Sequence, residues 1–464
     1  MFSRSSKTVR IRNIPDDVPK ETLVAYAEAL CEPQTNRKFL GIFPRRPQIV
    51  GHPLVSLAPQ SGHQTATITF PSEKLKRKDS SSHEGWDFDD DFNGLTVLHA
   101  VPEPDLDICA IHGFNGNAFD TFAWEDGHMW LRDFLPSHPK LKQSRVMTYG
   151  YSSLLNDSAN TSGVAEWASG LLGAISSVRE KLEERSRPII FVCHSLGGLV
   201  AREAMVELNR EPQLYEGLEL KYCGLLFLAT PHSGATLAVW NPYLVQLAEL
   251  TGIRARDFTQ ILEAFNNSSR ISKREFGRLN PQPPLECLYE TREMKVAGLK
   301  RRIVTPDAAG LNSVAANPMG DVDHTQICRF PRNVHPGYVQ IGACLERIRD
   351  RIVRANAPGD VLPQQNPAQP AMNQPPPAPN NAANIAVPIS PPQERPQAAH
   401  ETDQPPAHHG IRGGEGTGGN IDWDGTSLSV GGGHATGASM SLRDLQKFSG
   451  SVKGGTGLGA TIST

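Results

Sequence analysis

The sequence has no long hydrophobic run and no excess of charge of either sign. Among its 464 residues no stretch approaches ~20 consecutive apolar residues, which argues against a membrane span. The opening segment Met1–Lys7 is not followed by the apolar core of a secretory signal. The formal net charge of −3 provides no general attraction to nucleic acid or to an anionic membrane. We therefore expect a cytoplasmic protein whose membrane contact is at most peripheral and which does not bind nucleic acid.

Cysteine is also scarce, and its spacing argues against two kinds of site. The seven cysteines form no C-x-x-C pair, so neither a zinc site nor a disulfide framework is predicted. No motif indicates a metal ion or another cofactor. Four cysteines lie in or beside apolar runs and are typical of small core residues in a reducing compartment: Cys109, Cys193, Cys223 and Cys287.

Changes in composition along the chain predict five segments. Residues 1–72 alternate like strands around one helical stretch, which predicts a small α+β extension, and residues 73–94 read as a charged connector. Residues 95–356 alternate short apolar runs with amphipathic helices. The Pro-, Gln- and Asn-rich residues 357–409 cannot bury enough apolar surface to fold, which predicts a disordered linker. Residues 410–464 form a Gly-rich tail that keeps short strand-like pieces.

The pattern within 95–356 predicts an α/β fold with a mostly parallel, doubly wound sheet and helices on both faces. Several runs are apolar on both faces, as buried parallel strands are. One predicted helix places on a single face Trp167, Leu171, Ile175, Val178 and Leu182, and the last places Tyr338, Ile341, Leu345, Ile348 and Ile352. The predicted strands are Leu95–Ala100, Asp107–Ile111, Arg145–Tyr149, Pro188–Cys193, Cys223–Ala229, Leu285–Tyr289 and Arg301–Val304.

A serine stands where one of these strands gives way to a helix. The run Cys193–Gly198 follows the apolar strand and resembles the nucleophile elbow G-x-S-x-G, with Cys193 at the first glycine position. Cysteine is small enough for that crowded position. Ser195 is therefore the predicted nucleophile of an α/β-hydrolase.

A serine hydroxyl needs a general base, and the base needs an orienting carboxylate. In α/β-hydrolases these partners follow the serine in the order acid, then histidine. Glu290 is the first acid after the strand Leu285–Tyr289, and His324 is the first histidine after the predicted strand Arg301–Val304. Asp307 is the alternative acid, and spacing alone also allows His324 to be an ordinary loop histidine.

Two backbone amides are needed to bind the oxyanion that forms on the substrate carbonyl. Leu196, directly after the serine and at the positive start of its helix, should supply one of them. The second should come from the loop after an early strand, where Gly113 and Gly116 permit close approach and Phe114 is the predicted donor.

Five motifs together resemble the lipase-like serine esterases related to GPI inositol-deacylases. The similarity is greatest to the lipase-like domains associated with fungal nucleotide-binding immune receptors. The motifs are His112–Asn117, Thr148–Tyr151, Cys193–Val200, Ala229–Gly234 and Asp323–Phe330. The resemblance implies hydrolysis of esters, with lipids as substrates, through Ser195, Glu290 and His324. In the immune-receptor group it further implies a role in regulated cell death or innate-immune signalling.

Two further interpretations concern the ends of the chain. The resemblance implies that the tail 410–464 could stack into amyloid-type β-structure or recruit a nucleotide-binding receptor; composition alone favours a flexible appendage. If the tail does assemble, an alternative function is a scaffold that has no catalytic activity. The segment Val9–Pro15 resembles the first strand of an RNA-recognition module, but Thr65–Phe70 lacks the paired aromatics on which bases would stack. RNA is therefore not an expected partner.

Overall fold

The computed structural model describes most of the chain up to residue 357 and two short segments near the C-terminus. The chain forms two compact units, Met1–Pro358 and Gly359–Thr464. The described residues are 4–31, 51–60, 62–76, 85–114, 116–153, 163–232, 272–296, 299–357, 438–441 and 460–463.

A seven-stranded sheet forms the centre of the first unit and confirms the predicted fold class. Its order is β13-β10-β9-β8-β6-β7-β5, and every neighbouring pair is parallel except β5 with β7. Such an order places the carboxyl ends of the parallel strands on one edge, where α/β proteins bind their ligands. The strands are β5 (Gly94–His99), β6 (Leu106–Ile111), β7 (Ser144–Gly150), β8 (Ile189–His194), β9 (Cys223–Leu228), β10 (Leu285–Glu290) and β13 (Asn317–Met319).

The central strands are apolar on both faces because helices cover the sheet. All six residues of β6, of β8 and of β9 are buried. Close packing is visible at Gly224 on β9, where an added Cβ would lie 2.4 Å from Ile348 of the last helix. The helices after β5 are α3 (Trp130–Asp133), α4 (Val164–Ser176), α5 (Leu182–Arg185), α6 (Gly197–Arg210), α7 (Pro306–Ala309) and α8 (Pro336–Ala355), with 3-10 turns at Leu135–Ser137, Pro212–Leu214 and Leu220–Tyr222 and helical residues at 272–276.

The N-terminal extension is a second, antiparallel sheet in the order β2-β3-β1-β4. Sequence periodicity predicted β1, β3 and the helix; β2 and β4 were missed. Strand β4 lies inside the predicted connector 73–94, where Phe88 packs on Tyr26 at a ring distance of 6.4 Å. The elements are β1 (Thr8–Ile14), α1 (Lys20–Cys31), β2 (Leu54–Gln60), β3 (His63–Thr69), α2 (Glu73–Lys76) and β4 (Asp87–Asp89).

Two details of the predicted elements are wrong. Residues 302–304 are not a strand: β12 (Leu299–Arg301) pairs with β11 (Met294–Val296) as a separate hairpin, and Thr305 caps α7. The edge strand of the main sheet is instead β13. Helix α4 ends at Ser176, so Leu182 does not share its buried face and is 75 % exposed.

Part of the sequence interpretation lies outside the described residues. The linker predicted for 357–409 falls there except for its first residue, as does most of the tail 410–464. Within the tail, β14 (Ala438–Ser441) and β15 (Ala460–Ser463) pair in parallel. In the part of the chain that the structure describes, no helix is long and apolar enough to cross a membrane.

Candidate active site

Ser195 sits in a sharp turn between β8 and α6. Its φ of +52° lies in the left-handed region, which a non-glycine residue adopts only when its surroundings hold it there. The Ser195 amide donates to the Leu228 carbonyl at 2.9 Å, and the Gly198 amide donates to the Ser195 carbonyl at 3.1 Å. The turn is thus fixed from both sides, as a nucleophile elbow requires.

Small residues are needed around the serine because backbones approach closely there. A Cβ on Gly197 would lie 2.5 Å from the carbonyl oxygens of both Ile111 and His112, and one on Gly198 would lie 2.2 Å from Thr230 Oγ1. Cys193 is completely buried, and this burial raises the pKa of its thiol well above the ordinary value. The cysteine is therefore a neutral packing residue at the first glycine position.

His324 lies between the serine and a carboxylate. Its Nε2 is 3.2 Å from Ser195 Oγ, and its Nδ1 is 3.5 Å from Glu290 Oε1. All three side chains are buried. The loop that carries His324 is held by Asp323, whose Oδ1 accepts from the amides of Thr325 and Gln326, each at 3.0 Å. The arrangement has the order and contacts of a serine, base and orienting acid.

Glu290 is the last residue of β10 rather than the first residue beyond it. Its Oε1 accepts from the Val304 amide at 2.6 Å, which aims the carboxylate towards the imidazole. Asp307, the alternative acid, is exposed in the first turn of α7. The structure brings Glu290 next to His324.

The loop predicted to supply the second oxyanion amide approaches the serine directly. A Cβ on Gly113 would lie only 2.9 Å from Ser195 Cβ, and Phe114 follows it with 8 % exposure. Leu196 is the N-cap residue of α6 and already has helical dihedrals, φ −55° and ψ −34°. Leu196 is the residue directly after the serine, and Phe114 directly follows the glycine that packs against it.

His112 and Tyr151 hold this loop in place through hydrogen bonds and ring stacking. Nδ1 of His112 lies 2.8 Å from the Gly113 carbonyl, and Nε2 accepts from the Tyr151 amide at 3.2 Å. The two rings stack at 4.4 Å, and the Tyr151 hydroxyl donates to the His112 carbonyl. Burial lowers the pKa of His112 to about 4, so the ring is neutral near pH 7. His112 thus bonds the carbonyl of its own loop, and no sequence motif pointed to its partnership with Tyr151.

His194 also has a partner that local reasoning missed. Its Nε2 is 2.9 Å from the main-chain carbonyl of His324, which lies 130 residues further along the chain. The two histidine rings lie 5.1 Å apart. Burial and the neighbouring His324 lower the pKa of His194 well below the ordinary value, so it donates as a neutral ring.

The strand order and the strained serine turn define the class of this protein as an α/β-hydrolase. A family model described as "Putative serine esterase (DUF676)" matches residues 105–264. That range begins just before β6 and includes Phe114, Ser195 and Leu196, but it ends before Glu290 and His324.

Curated relatives and solved structures are similar over parts of the chain. Protein SERAC1 of Danio rerio is 25% identical over 269 residues, 51% of this chain and 39% of the relative. Protein SERAC1 of Homo sapiens is 23% identical over 175 residues, 32% of this chain and 26% of the relative. The chain therefore spans about two fifths or less of the length of these relatives.

Phospholipase PlaB from Legionella pneumophila aligns at 14% identity with a TM-score of 0.39, over 54% of this chain and 62% of that chain. The metagenome-derived lipolytic enzymes LipS and LipT give 11% identity and a TM-score of 0.33, over 56% of this chain and 98% of that chain. The class follows from the strand order and the Ser195 turn, not from these low-identity alignments.

Proposed function

We propose that this protein is a serine hydrolase that cleaves carboxyl esters, with lipids as its substrate class. The observation that carries the proposal is the contact of His324 with Ser195 on one side, at 3.2 Å, and with buried Glu290 on the other. A serine, a histidine and a carboxylate in this order are the parts that acyl transfer requires.

The geometry supports the following reaction. His324 Nε2 takes the hydroxyl proton as Ser195 Oγ attacks the ester carbonyl carbon, and Glu290 stabilises the imidazolium that forms. The amides of Phe114 and Leu196 bind the oxygen as it becomes negative. The alcohol leaves with the proton from His324, which leaves an acyl-serine. Water repeats the sequence and releases the acid.

Labelling with a fluorophosphonate probe tests this proposal, because the probe forms a covalent bond only with an activated serine. We expect the full chain to be labelled and Ser195→Ala to give no labelled product. Ser186→Ala is the matched control, since Ser186 lies in an exposed turn where its hydroxyl donates to the Glu183 carbonyl at 3.3 Å. Equal labelling of Ser195→Ala and the wild type would overturn the proposal.

The substrate class needs a second measurement. Hydrolysis should be compared across esters of increasing acyl length and across phospholipid vesicles, with Ser195→Ala as the blank. A lipid substrate predicts that the rate rises with acyl length and that the protein binds the vesicle surface peripherally. Activity confined to short, water-soluble esters would remove lipids from the proposal and leave the esterase.

A second candidate function is assembly through the tail 410–464. The observation that favours it is the in-register parallel pairing of β14 with β15, in which the backbone of Ala438 pairs with that of Ala460 and the backbone of Met440 with that of Ile462. Stacked, in-register parallel strands are the unit of cross-β assemblies. Such an assembly could recruit a nucleotide-binding receptor with a related segment and so link the hydrolase to cell-death or immune signalling.

A peptide of residues 410–464 tests the assembly. It should form thioflavin-positive, cross-β fibres under mild conditions, and Ile462→Pro should prevent this because proline removes a ladder hydrogen bond. Failure of the unmodified peptide to assemble would reject the tail as an assembly segment.

A further inference from the structure

Five residues directly after the oxyanion loop connect that loop with the N-terminal residues of the chain and with the loop that carries His324. This bridging segment, Asn117–Thr121, has no regular helix or strand, yet it is buried except for Asp120, which is half-buried. A buried loop must find partners for its polar groups, so its hydrogen bonds show what it connects.

On one side, the bridging segment contacts residues 4–7, which precede β1 and are called the N-terminal leader below. The Asp120 carboxylate accepts from the Ser5 hydroxyl at 2.6 Å and from the Ser6 amide at 3.0 Å. The Asn117 Nδ2 donates to the carbonyls of Asp91 and Asp90, at 3.2 and 3.4 Å. These partners lie just before β1 and just after β4, so both flanks of the N-terminal sheet are attached here.

Towards the catalytic serine, the bridging segment closes the oxyanion loop. The Asn117 Oδ1 accepts from the amides of Phe119 and Asp120, at 2.8 and 3.1 Å, which fixes the turn. Gly116 is enclosed, because an added Cβ would lie 2.8 Å from Thr121 Oγ1 and 3.0 Å from the Gly113 carbonyl. A displacement of Asn117 would therefore move the loop that packs against Ser195.

On the third side, the bridging segment binds the loop that carries the histidine. The Thr121 carbonyl accepts from Arg329 Nε at 3.0 Å and from Cys328 Sγ at 3.1 Å. The Cys328 carbonyl in turn accepts from the buried indole of Trp130 at 2.9 Å. Both residues follow His324 closely in sequence. The loop between them is held by two backbone hydrogen bonds: the Arg329 amide donates to the Gln326 carbonyl, and the Gln326 amide donates to the Asp323 carbonyl.

We propose that Asn117 and Asp120 are positioning residues through which the N-terminal leader holds the oxyanion loop and the histidine loop in their reactive arrangement. This inference rests on the proposed hydrolase function. The leader lies more than a hundred residues from both loops in sequence. It acts through a single segment that binds both loops, so its contacts affect the alignment of the reacting groups.

A contact that aligns the reacting groups affects the reaction rate, whereas a contact that only stabilises the fold does not. Acyl transfer depends steeply on the placement of the oxyanion donors and the base relative to the serine. Loss of the leader contact should therefore slow the reaction of every folded molecule. If the contact only helped the protein fold, its loss would lower the number of reactive molecules and leave the rate of each unchanged.

Labelling kinetics on the full chain separate these two effects. The rate constant reports alignment, and the final labelled fraction reports the number of competent molecules. We expect Asp120→Ala and Ser5→Ala to be labelled to the same final extent as the wild type, but about tenfold more slowly. Ester turnover per titrated site should fall in kcat with little change in KM. Asp120→Asn, which keeps one acceptor oxygen, should fall between Asp120→Ala and the wild type.

Arg12→Ala is the matched control. It removes an ion pair with Asp89, at 3.3 Å, from the same N-terminal sheet without touching the bridging segment. It should be labelled at the wild-type rate. The inference is overturned if Asp120→Ala and Ser5→Ala keep the wild-type rate constant, if only their final extent falls, or if Arg12→Ala slows equally. An unlabelled wild type would instead reject the proposed hydrolase itself.

Discussion

At the scale of single residues, burial favours Glu290 for the proposed role of orienting carboxylate. Several acids follow the serine in sequence, but Glu290 combines complete burial, a fixed backbone partner at Val304 and proximity to His324. A carboxylate held in this way can stabilise the imidazolium with little screening by water. Asp307 is exposed, so its charge is screened.

Replacement of each acid by its amide tests this difference. Glu290→Gln keeps an oxygen for the Val304 amide but loses the charge, and we expect kcat to fall by about 10²–10⁴ with KM little changed. Asp307→Asn should leave kcat at the wild-type value. The measurement is steady-state hydrolysis of a chromogenic ester. The reverse pattern would assign the orienting role to Asp307.

His112 makes the stability of the protein depend on pH. Its pKa is lowered to about 4 by burial, against about 6.5 in the unfolded chain, so the unfolded state binds more protons between these values. Stability is then complete above pH 6.5 and declines as the pH falls towards 4. From this group alone we expect a loss of about 2 kcal/mol between pH 7.5 and pH 5.

Urea unfolding at the two pH values measures this contribution. His112→Asn should be less stable than the wild type at pH 7.5, because the amide cannot reproduce both ring contacts and the stacking on Tyr151. Its free energy of unfolding should nevertheless decline less between pH 7.5 and pH 5. His194 and His232 are also buried with lowered pKa values, so some decline should remain in the variant. Equal slopes would contradict the assignment to His112.

At the scale of elements, helix α4 contains two glycines in different surroundings. Gly173 has open space where a Cβ would stand, whereas a Cβ on Gly170 would lie 2.6 Å from the Tyr149 hydroxyl. We expect Gly173→Ala to raise the free energy of unfolding by about 0.5–1 kcal/mol, since alanine loses less backbone entropy in a helix. Gly170→Ala should gain less or lose stability. An equal gain at both positions would show that Tyr149 does not limit the packing.

The elements also show where sequence patterns are sufficient. The apolar runs that became β6, β8, β9 and β10 were predicted to within a residue or so at each end, because burial on both faces leaves a clear signal. The edge strand β13 contains only three residues, Asn317–Met319, two of which are exposed, so periodicity could not reveal it. Val304 ends the apolar run that was wrongly predicted as a strand. Its amide donates to the Glu290 carboxylate rather than to the backbone of a neighbouring strand.

Contacts in the site were less predictable than its residues. Ser195, Glu290 and His324 could be selected by order and strand position, since topology brings strand ends together. The partnerships of His194 with the His324 carbonyl and of Tyr151 with His112 depend on side-chain directions in three dimensions. No spacing rule in a single sequence encodes those directions.

At the scale of the whole molecule, the carboxyl ends and the amino ends of the central strands have separate roles. Ser195, Glu290 and the oxyanion loop lie at the carboxyl ends of the strands. At the opposite edge, buried Asp107 at the start of β6 accepts from Arg145 at 2.8–2.9 Å and also contacts Arg179 and Arg187. The Asp107 cluster ties the beginning of β6 to that of β7 and to the segment before β8.

Asp107→Asn removes the carboxylate and leaves three arginines around a neutral amide. Glu184 still pairs with Arg145 and Arg187, but buried Arg179 loses the carboxylate that it contacts. Removing one partner of a buried ion pair costs about 3–5 kcal/mol, because the other charge stays buried. We expect a marked loss of stability with kcat per fluorophosphonate-titrated site unchanged. Glu290→Gln should do the opposite, with a large loss of kcat and a smaller change in stability. A fall of kcat per titrated site in Asp107→Asn would contradict this expectation. It would mean that a change at the amino ends of the strands alters the arrangement of the reacting groups at their carboxyl ends.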